Sequence, residues 1–239
     1  MFSIISVGKN CENFIEGWYK SIINQSNENW TCFVALDPSF DNSVKKLFRF
    51  IQDDKRFIVD INKETNGASR NRYICTSKEV NKDSIVVHLD LDDSFYNNKV
   101  LDRVYKEYQR HDCWLTYGSY ICSNGVKDNW NKSIPKKVWR NNSHRRNIWS
   151  TTALRTFKKW LWDHIDYNDF IYKGEWIEKC TDMACMFPML EMAGPKRVRY
   201  IRDILYFYNI YNNQSSISRK KESLIESYIR SIKPYKRIE

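Results

Sequence analysis

Ser84-Ile85-Val86-Val87-His88-Leu89 runs directly into Asp90-Leu91-Asp92-Asp93. The first part is a largely apolar run of strand length, as a central strand covered on both faces must be. The second part places three carboxylates immediately after it. On an extended segment, side chains two apart point the same way. Asp90 and Asp92 are therefore expected to face one site while Asp93 turns elsewhere. Hard divalent cations such as Mg²⁺ or Mn²⁺ take oxygen ligands, often one or two carboxylates shared with substrate phosphates. An acidic turn that caps the next helix is the plainer alternative.

Upstream, the same pattern of strand followed by polar turn recurs. Phe2-Ser3-Ile4-Ile5-Ser6-Val7 reads as a strand ending at Gly8, and Phe14, Trp18 and Ile22 share a helical face. Trp30 to Leu36 is a second strand, followed by Asp41 as a helix cap and by Val44, Leu47, Phe48 and Ile51 at helical spacing. Arg56 to Ile61 is a third strand, and residues 67–79 form a helix. Strands alternating with helices in this way imply an α/β fold with a mostly parallel, doubly wound sheet and helices on both faces. Ligands bind such sheets beyond the carboxyl ends of the strands. The acidic run stands at such an end, as do Lys9-Asn10, Asp37-Pro38-Ser39 and Asn66-Gly67.

Downstream, Leu101, Val104, Tyr105 and Tyr108 form a helical stripe, and Cys113 to Cys122 reads as a fifth strand. Residues 123–150 are polar, basic and without clear period. Phe157 to Ile165 reads as a short helix, Lys179 to Ala193 as a helix stopped by Gly194-Pro195, and Val198 to Tyr208 as a strand. A charged helix from about Arg219 to Ile232 follows. Its apolar residues Leu224, Ile225, Tyr228, Ile229 and Ile232 suit docking on the core, and also leave room for peripheral membrane contact.

The 239 residues carry 39 Lys and Arg against 29 Asp and Glu, a formal charge of +10 that suits anionic partners. Hydrophobic residues make up 42% and aromatic residues 15%, enough for a packed core and against long disorder. The seven cysteines include no C-x-x-C pair and no zinc spacing, which points to buried, reduced thiols and a reducing compartment. The apolar start, Met1 to Val7, is too short and lacks the basic lead-in of a signal peptide, and no apolar run spans a bilayer. A cytoplasmic protein, soluble or peripheral at a membrane, is expected.

The order of these motifs resembles the GT-A-fold, family-2-type inverting glycosyltransferases. The first strand and turn, Ile4 to Asn10, are similar to the family's. Leu36-Asp37-Pro38-Ser39-Phe40-Asp41 is similar to its D-D-G-S-x-D turn, with Leu36 and Pro38 as departures. Asn66-Gly67-Ala68-Ser69-Arg70-Asn71 is similar to its N-x-G-x-x-x-A-R-N helix start. Asp90 to Asp93 matches D-x-D-D, and Thr181-Asp182 is similar to the E-D pair, with Thr181 in place of Glu. The resemblance covers about residues 2 to 210 and implies one glycosyltransferase domain over 1–239. Within it, 1–122 would bind the nucleotide sugar, 123–218 would carry acceptor and catalytic base, and 219–239 would be a C-terminal helix.

By that resemblance, the donor is a nucleotide-diphosphate sugar held with Mn²⁺ or Mg²⁺. The acceptor is a hydroxyl of a glycan, glycolipid or protein, and no nucleic acid partner is expected. Val7, Asn10, Asp37, Asn66, Arg70, Asp90 and Leu91 would line the donor, and Asp92 would ligate the metal. Asp182 would be the general base of a single inverting displacement of a hexosyl group. His144 and Arg146 are candidate diphosphate or acceptor contacts, and Trp176 is an acceptor-side candidate. Asn209, Asn212 and Ser215 are candidates to close over the donor. Two other readings stay open: a nucleotidyltransferase, which wants more glycine than Val7-Gly8-Lys9-Asn10-Cys11 offers, and a non-catalytic nucleic-acid or polysaccharide binder, which suits the charge and aromatics.

Overall fold

The computed structural model describes residues 1–79, 81–211 and 218–238. Its elements run in order β1 (Phe2–Gly8), α1 (Ile15–Ile23), β2 (Trp30–Leu36), α2 (Ser43–Ile51), β3 (Phe57–Ile61), α3 (Gly67–Lys78), β4 (Ile85–His88), β5 (Ser94–Phe95), α4 (Val100–His111) and β6 (Leu115–Cys122). There follow α5 (Lys136–Asn141), β7 (Arg155–Lys158), α6 (Lys159–Trp162), β8 (Ile171–Tyr172), β9 (Glu175–Trp176), α7 (Thr181–Ala193), β10 (Val198–Tyr208) and α8 (Arg219–Ser231). Short 3-10 helices occupy His144–Arg146 and Tyr167–Phe170.

Eight strands form one sheet in the order β3-β2-β1-β4-β7-β6-β10-β5. The pairs β1·β2, β1·β4, β2·β3 and β6·β10 are parallel. Antiparallel pairs join β4 to β7, β7 to β6 and β10 to β5. Because β7 is antiparallel to both neighbours, β4 and β6 run the same way and end at the same edge.

Apolar runs in the central strands follow from two-sided burial. Along β1, Phe2 and Ile4 face a core shared with Trp18 and Ile22 of α1, Leu47 and Ile51 of α2 and Leu101 and Val104 of α4. Ile5 and Val7 face the other side, where Cys75 of α3, most of α7, and Ile225 and Ile229 of α8 pack. In β4, Ile85 and Val87 join the first core and Val86 the second. This period of two places helices on both faces, as the alternation of elements requires.

Two expectations change. Residues 155–158 form a strand, and the helix after it spans only Lys159–Trp162. The apolar spacing of Phe157 and Leu161 fitted a helix, but Phe157 fills a slot between β4 and β6, pairing with Val86 and Leu115. A two-residue strand, β5, directly follows the acidic run; it is too short to carry a period. The apolar stripe of α8 docks on the core, with Ile225 and Ile229 buried and Leu224 exposed. No helix among the described residues is long and apolar enough to cross a membrane. All seven cysteines are free, and five are buried.

Close approach fixes where the acidic run leaves the sheet. A Cβ built on Gly8 would lie 2.7 Å from Leu91 Cβ and 3.0 Å from its Cδ1. Leu91 is wholly buried, and its N–H donates to the Val7 carbonyl at 3.1 Å. Gly8→Ala is expected to lower stability by about 1–3 kcal/mol through overpacking, read as a lower urea midpoint; an unchanged midpoint would contradict this close packing.

Candidate active site at the acidic loop

Asp90 to Asp93 form a turn rather than an extended segment, with the Asp93 N–H donating to the Asp90 carbonyl at 3.1 Å. The turn brings Asp93 back toward its neighbours, so Asp90, Asp92 and Asp93 each offer a carboxylate oxygen within 4.8 Å of the others. Asp93 therefore does not turn elsewhere. Its buried carboxylate accepts from the Tyr206 hydroxyl at 2.6 Å and from the Asn209 N–H at 2.7 Å. Burial, and then the adjacent Asp92 and Asp90 charges, push its pKa well above the usual carboxylate range.

Arg72, on α3, reaches across this loop. One terminal nitrogen donates to both Asp90 oxygens, at 2.7 and 2.5 Å, and the other donates to Thr181 Oγ1 at 2.7 Å. Burial opposes its charge, but Asp90 outweighs burial, and the net shift is upward. The bridge ties the end of β4 to the start of α7. There Asp182 accepts the Met183 N–H at 3.0 Å, and its other oxygen lies 3.6 Å from an Arg155 terminal nitrogen. Arg155 opens β7 and is buried, with its Nε lacking a partner among the described residues; the same holds for Nε of Arg72. His88, beneath the loop, packs edge-on against Phe157 at 5.1 Å. Burial, then Arg72 and Arg155, lower its pKa well below the usual imidazole value, so it is neutral.

Asp37 is the second anchor. Its carboxylate accepts from Asn62 Nδ2 at 2.8 Å, Asn71 Nδ2 at 2.9 Å, and the backbone N–H groups of Asn66 and Gly67 at 3.1 and 2.8 Å. These bonds gather β2, the Asn66 turn and α3, and they face the free N–H groups of the helix start. Asn10 has a left-handed backbone (φ 48°), and its side-chain oxygen accepts the Phe40 N–H at 2.8 Å. Val7 thus stands at the end of β1, and Asn10, Asp37, Asn66, Asp90, Leu91 and Asp92 belong to the loops that follow the carboxyl ends of β1 to β4.

Other expected residues lie differently. Arg70 is exposed on α3, two positions before Arg72. His144 is buried against Trp139, ring centroids 4.5 Å apart, and burial, then Arg237 and Arg145, push its pKa down to about 4. Arg146 is exposed and lines a surface cleft with Arg230. Between them, Arg145 makes a buried pair with Glu191 at 2.8 Å, near the end of α7 opposite Asp182. That segment is tied to the far end of α7. Trp176 packs among Tyr73 and Tyr167, with centroids at 5.4 and 5.1 Å. Asn209 reaches the site through its backbone, while Asn212 and Ser215 lie outside the described residues. Arg155, expected with the 144–146 cations as a diphosphate or acceptor contact, lies beside Asp182. Arg72 and Tyr206 escaped sequence reading; Arg72 sits in no distinctive motif, and Tyr206 is distant in sequence.

Removing the Asp37 carboxylate leaves four donors, Asn71 buried and the others half-buried, without that acceptor. Asp37→Ala is expected to cost about 2–4 kcal/mol, measured by chemical denaturation. A loss below about 0.5 kcal/mol, the range of ordinary surface substitutions, would show that these bonds do not hold α3.

The sequence profile of glycosyl transferase family 2 matches residues 3–172. The fold is similar to S. aureus TarS 1-349 in complex with UDP-GlcNAc, with a TM-score of 0.71 at 14% identity over 95% of this chain and 65% of that one. It is also similar to the mannosyltransferase PcManGT from Pyrobaculum calidifontis in complex with GDP-Man and Mn2+, with a TM-score of 0.64 at 13% identity over 98% of this chain and 65% of that one. The chain thus spans just under two thirds of the length of each. No curated protein matches it. With a profile match over more than half its length and a GT-A sheet carrying the acidic loop at its edge, the chain belongs to glycosyl transferase family 2.

Proposed function

We propose that this chain transfers a hexosyl group from a nucleotide-diphosphate sugar to an acceptor hydroxyl, with inversion and with a divalent metal. The observation that carries this reading is the Arg72 bridge from Asp90 to Thr181, which sets Asp182 beside the acidic loop. The two similar structures, with UDP-GlcNAc in one and GDP-Man with Mn2+ in the other, support the donor class. Free thiols and the family's donor chemistry support a cytoplasmic setting.

The donor set fits a hard cation: oxygen only, three carboxylates within 4.8 Å, and more negative charge than Arg72 alone offsets. Asp92 would hold Mn²⁺ or Mg²⁺, with Asp90 and Asp93 oriented by Arg72, Tyr206 and the Asn209 backbone as supporting groups. When bound, the metal supplies neutralisation of charge growing on the diphosphate.

The chain's own residues carry the remaining steps. Val7, Asn10, Asp37 and Asn66 shape the nucleoside side, and Arg70 stands at its outer rim. Arg72 and Arg155 supply positive charge near the leaving diphosphate, where fixed cations act strongly in a site shielded from water. Asp182 accepts the proton of the acceptor hydroxyl as its oxygen bonds to the anomeric carbon and the bond to the diphosphate oxygen breaks. One displacement needs one base and leaves an inverted product. The acceptor is a glycan, glycolipid or protein hydroxyl, with Trp176 as an aromatic candidate on its side.

Two variants separate binding from chemistry. UDP or GDP with Mn²⁺ should raise the Tm of the unaltered chain, and Asp92→Asn should abolish that rise; failure of both nucleotides on the unaltered chain would count against the donor site. Asp182→Asn should keep the rise while transfer falls about 10²–10⁴-fold, the usual contribution of a general base. Transfer retained in Asp182→Asn would remove it from that role.

A further inference from the structure

We propose that the segment between β6 and β7 is a docking surface for an anionic phospholipid bilayer. Residues 123–150 hold seven Lys and Arg and one acid, Asp128. Arg145 is buried against Glu191, but Lys127, Lys132, Lys136, Lys137, Arg140 and Arg146 are all exposed. Asp128 offsets one of these six charges; its carboxylate accepts the N–H groups of Trp130 and Asn131 at 2.7 and 3.2 Å.

Two large apolar side chains stand in this basic field. Trp130 is 59% exposed and Ile148 is 79% exposed. Both line one cleft of about 430 Å³ with Lys132 and Pro135. Their exposure is built in. Asn131, between Trp130 and Lys132, is buried; it donates to the Gly118 and Ala153 carbonyls and accepts the Thr152 N–H at 2.6 Å. Tyr117 and Tyr200 hydroxyls hold the Lys132 and Asn131 carbonyls at 2.8 and 3.0 Å. The loop is pinned from beneath while its apolar tips point outward.

An amphipathic indole and an aliphatic tip ringed by cations match the interface of a charged bilayer. A soluble polyanion would use the six cations but gain nothing from Ile148. A neutral glycan would use Trp130 but gain nothing from the cations. The apolar stripe of α8 is docked on the core, so its buried Ile225 and Ile229 do not offer an alternative membrane face. The segment leads into β7, whose first residue, Arg155, lies beside Asp182. A bilayer docked here would stand next to the mouth of the site, suited to an acceptor presented at a membrane surface.

The test is co-sedimentation of the full chain with phosphatidylcholine vesicles, with and without phosphatidylglycerol, at rising salt. Binding should require phosphatidylglycerol and weaken as salt rises. Each cation contributes roughly fivefold, so Lys136→Glu with Lys137→Glu should lower partitioning by at least about tenfold. Trp130→Ala with Ile148→Ser should lower it by a similar factor, about tenfold or more. Circular dichroism melts, and the nucleotide-induced Tm rise, should be unchanged in both pairs; that readout keeps a lipid-binding failure separate from a failure of the transfer reading. Equal binding to pure phosphatidylcholine overturns the proposal. So does full vesicle binding by the Trp130 and Ile148 variant, or binding of single-stranded RNA in place of vesicles.

Discussion

Arg72 holds the site together. Its fork grips both oxygens of Asp90 at the end of β4 and the Thr181 hydroxyl at the start of α7. A planar, permanently charged donor suits that task, because one rigid group satisfies two partners at once. The helix that carries it is itself fixed by Asp37, which collects the α3 start onto the end of β2. The candidate site is therefore a chain of local constraints. Gly8 and Val7 set the height of Leu91, Leu91 sets the turn, and the turn gathers three carboxylates, of which Arg72 orients Asp90 and Tyr206 orients Asp93.

Much of the first half was legible because its physics is local. Strands covered on both faces read as apolar runs, and four of them, β1 to β4, stand where the residues predict. Polar turns at their carboxyl ends marked the site edge without any knowledge of packing. The second half resisted for a physical reason. β7 is four residues long and lies antiparallel between two parallel-running strands, so its neighbours impose a conformation that its own spacing does not declare. Arg72 and Tyr206 were invisible for a related reason: their significance is tertiary. The basic run at 144–146 looked like a phosphate contact, yet its middle residue is consumed by a buried pair with Glu191 that fastens the far end of α7. Asp93 was misjudged because an extended backbone was assumed where a turn forms.

The same sheet edge collects two further features. Arg155 sits buried beside Asp182 with an Nε that has no partner among the described residues, a costly arrangement in a resting protein and a natural one beside an anionic substrate. The pinned, basic segment that exposes Trp130 and Ile148 leads into the same strand, β7. Donor loops and this exposed surface thus converge on the entry of β7, a geometry in which a soluble nucleotide sugar and a surface-bound acceptor would meet.

The central claim is that the Asp90 turn receives a divalent cation together with a nucleoside diphosphate. It is tested most directly by anomalous scattering from crystals of the chain grown with Mn²⁺ and UDP or GDP. The account predicts a manganese peak in contact with Asp92, within the Asp90, Asp92 and Asp93 cluster, and a diphosphate on the side facing Arg72 and Arg155. A nucleotide bound with no manganese at that turn, or manganese bound elsewhere on the chain, would contradict it.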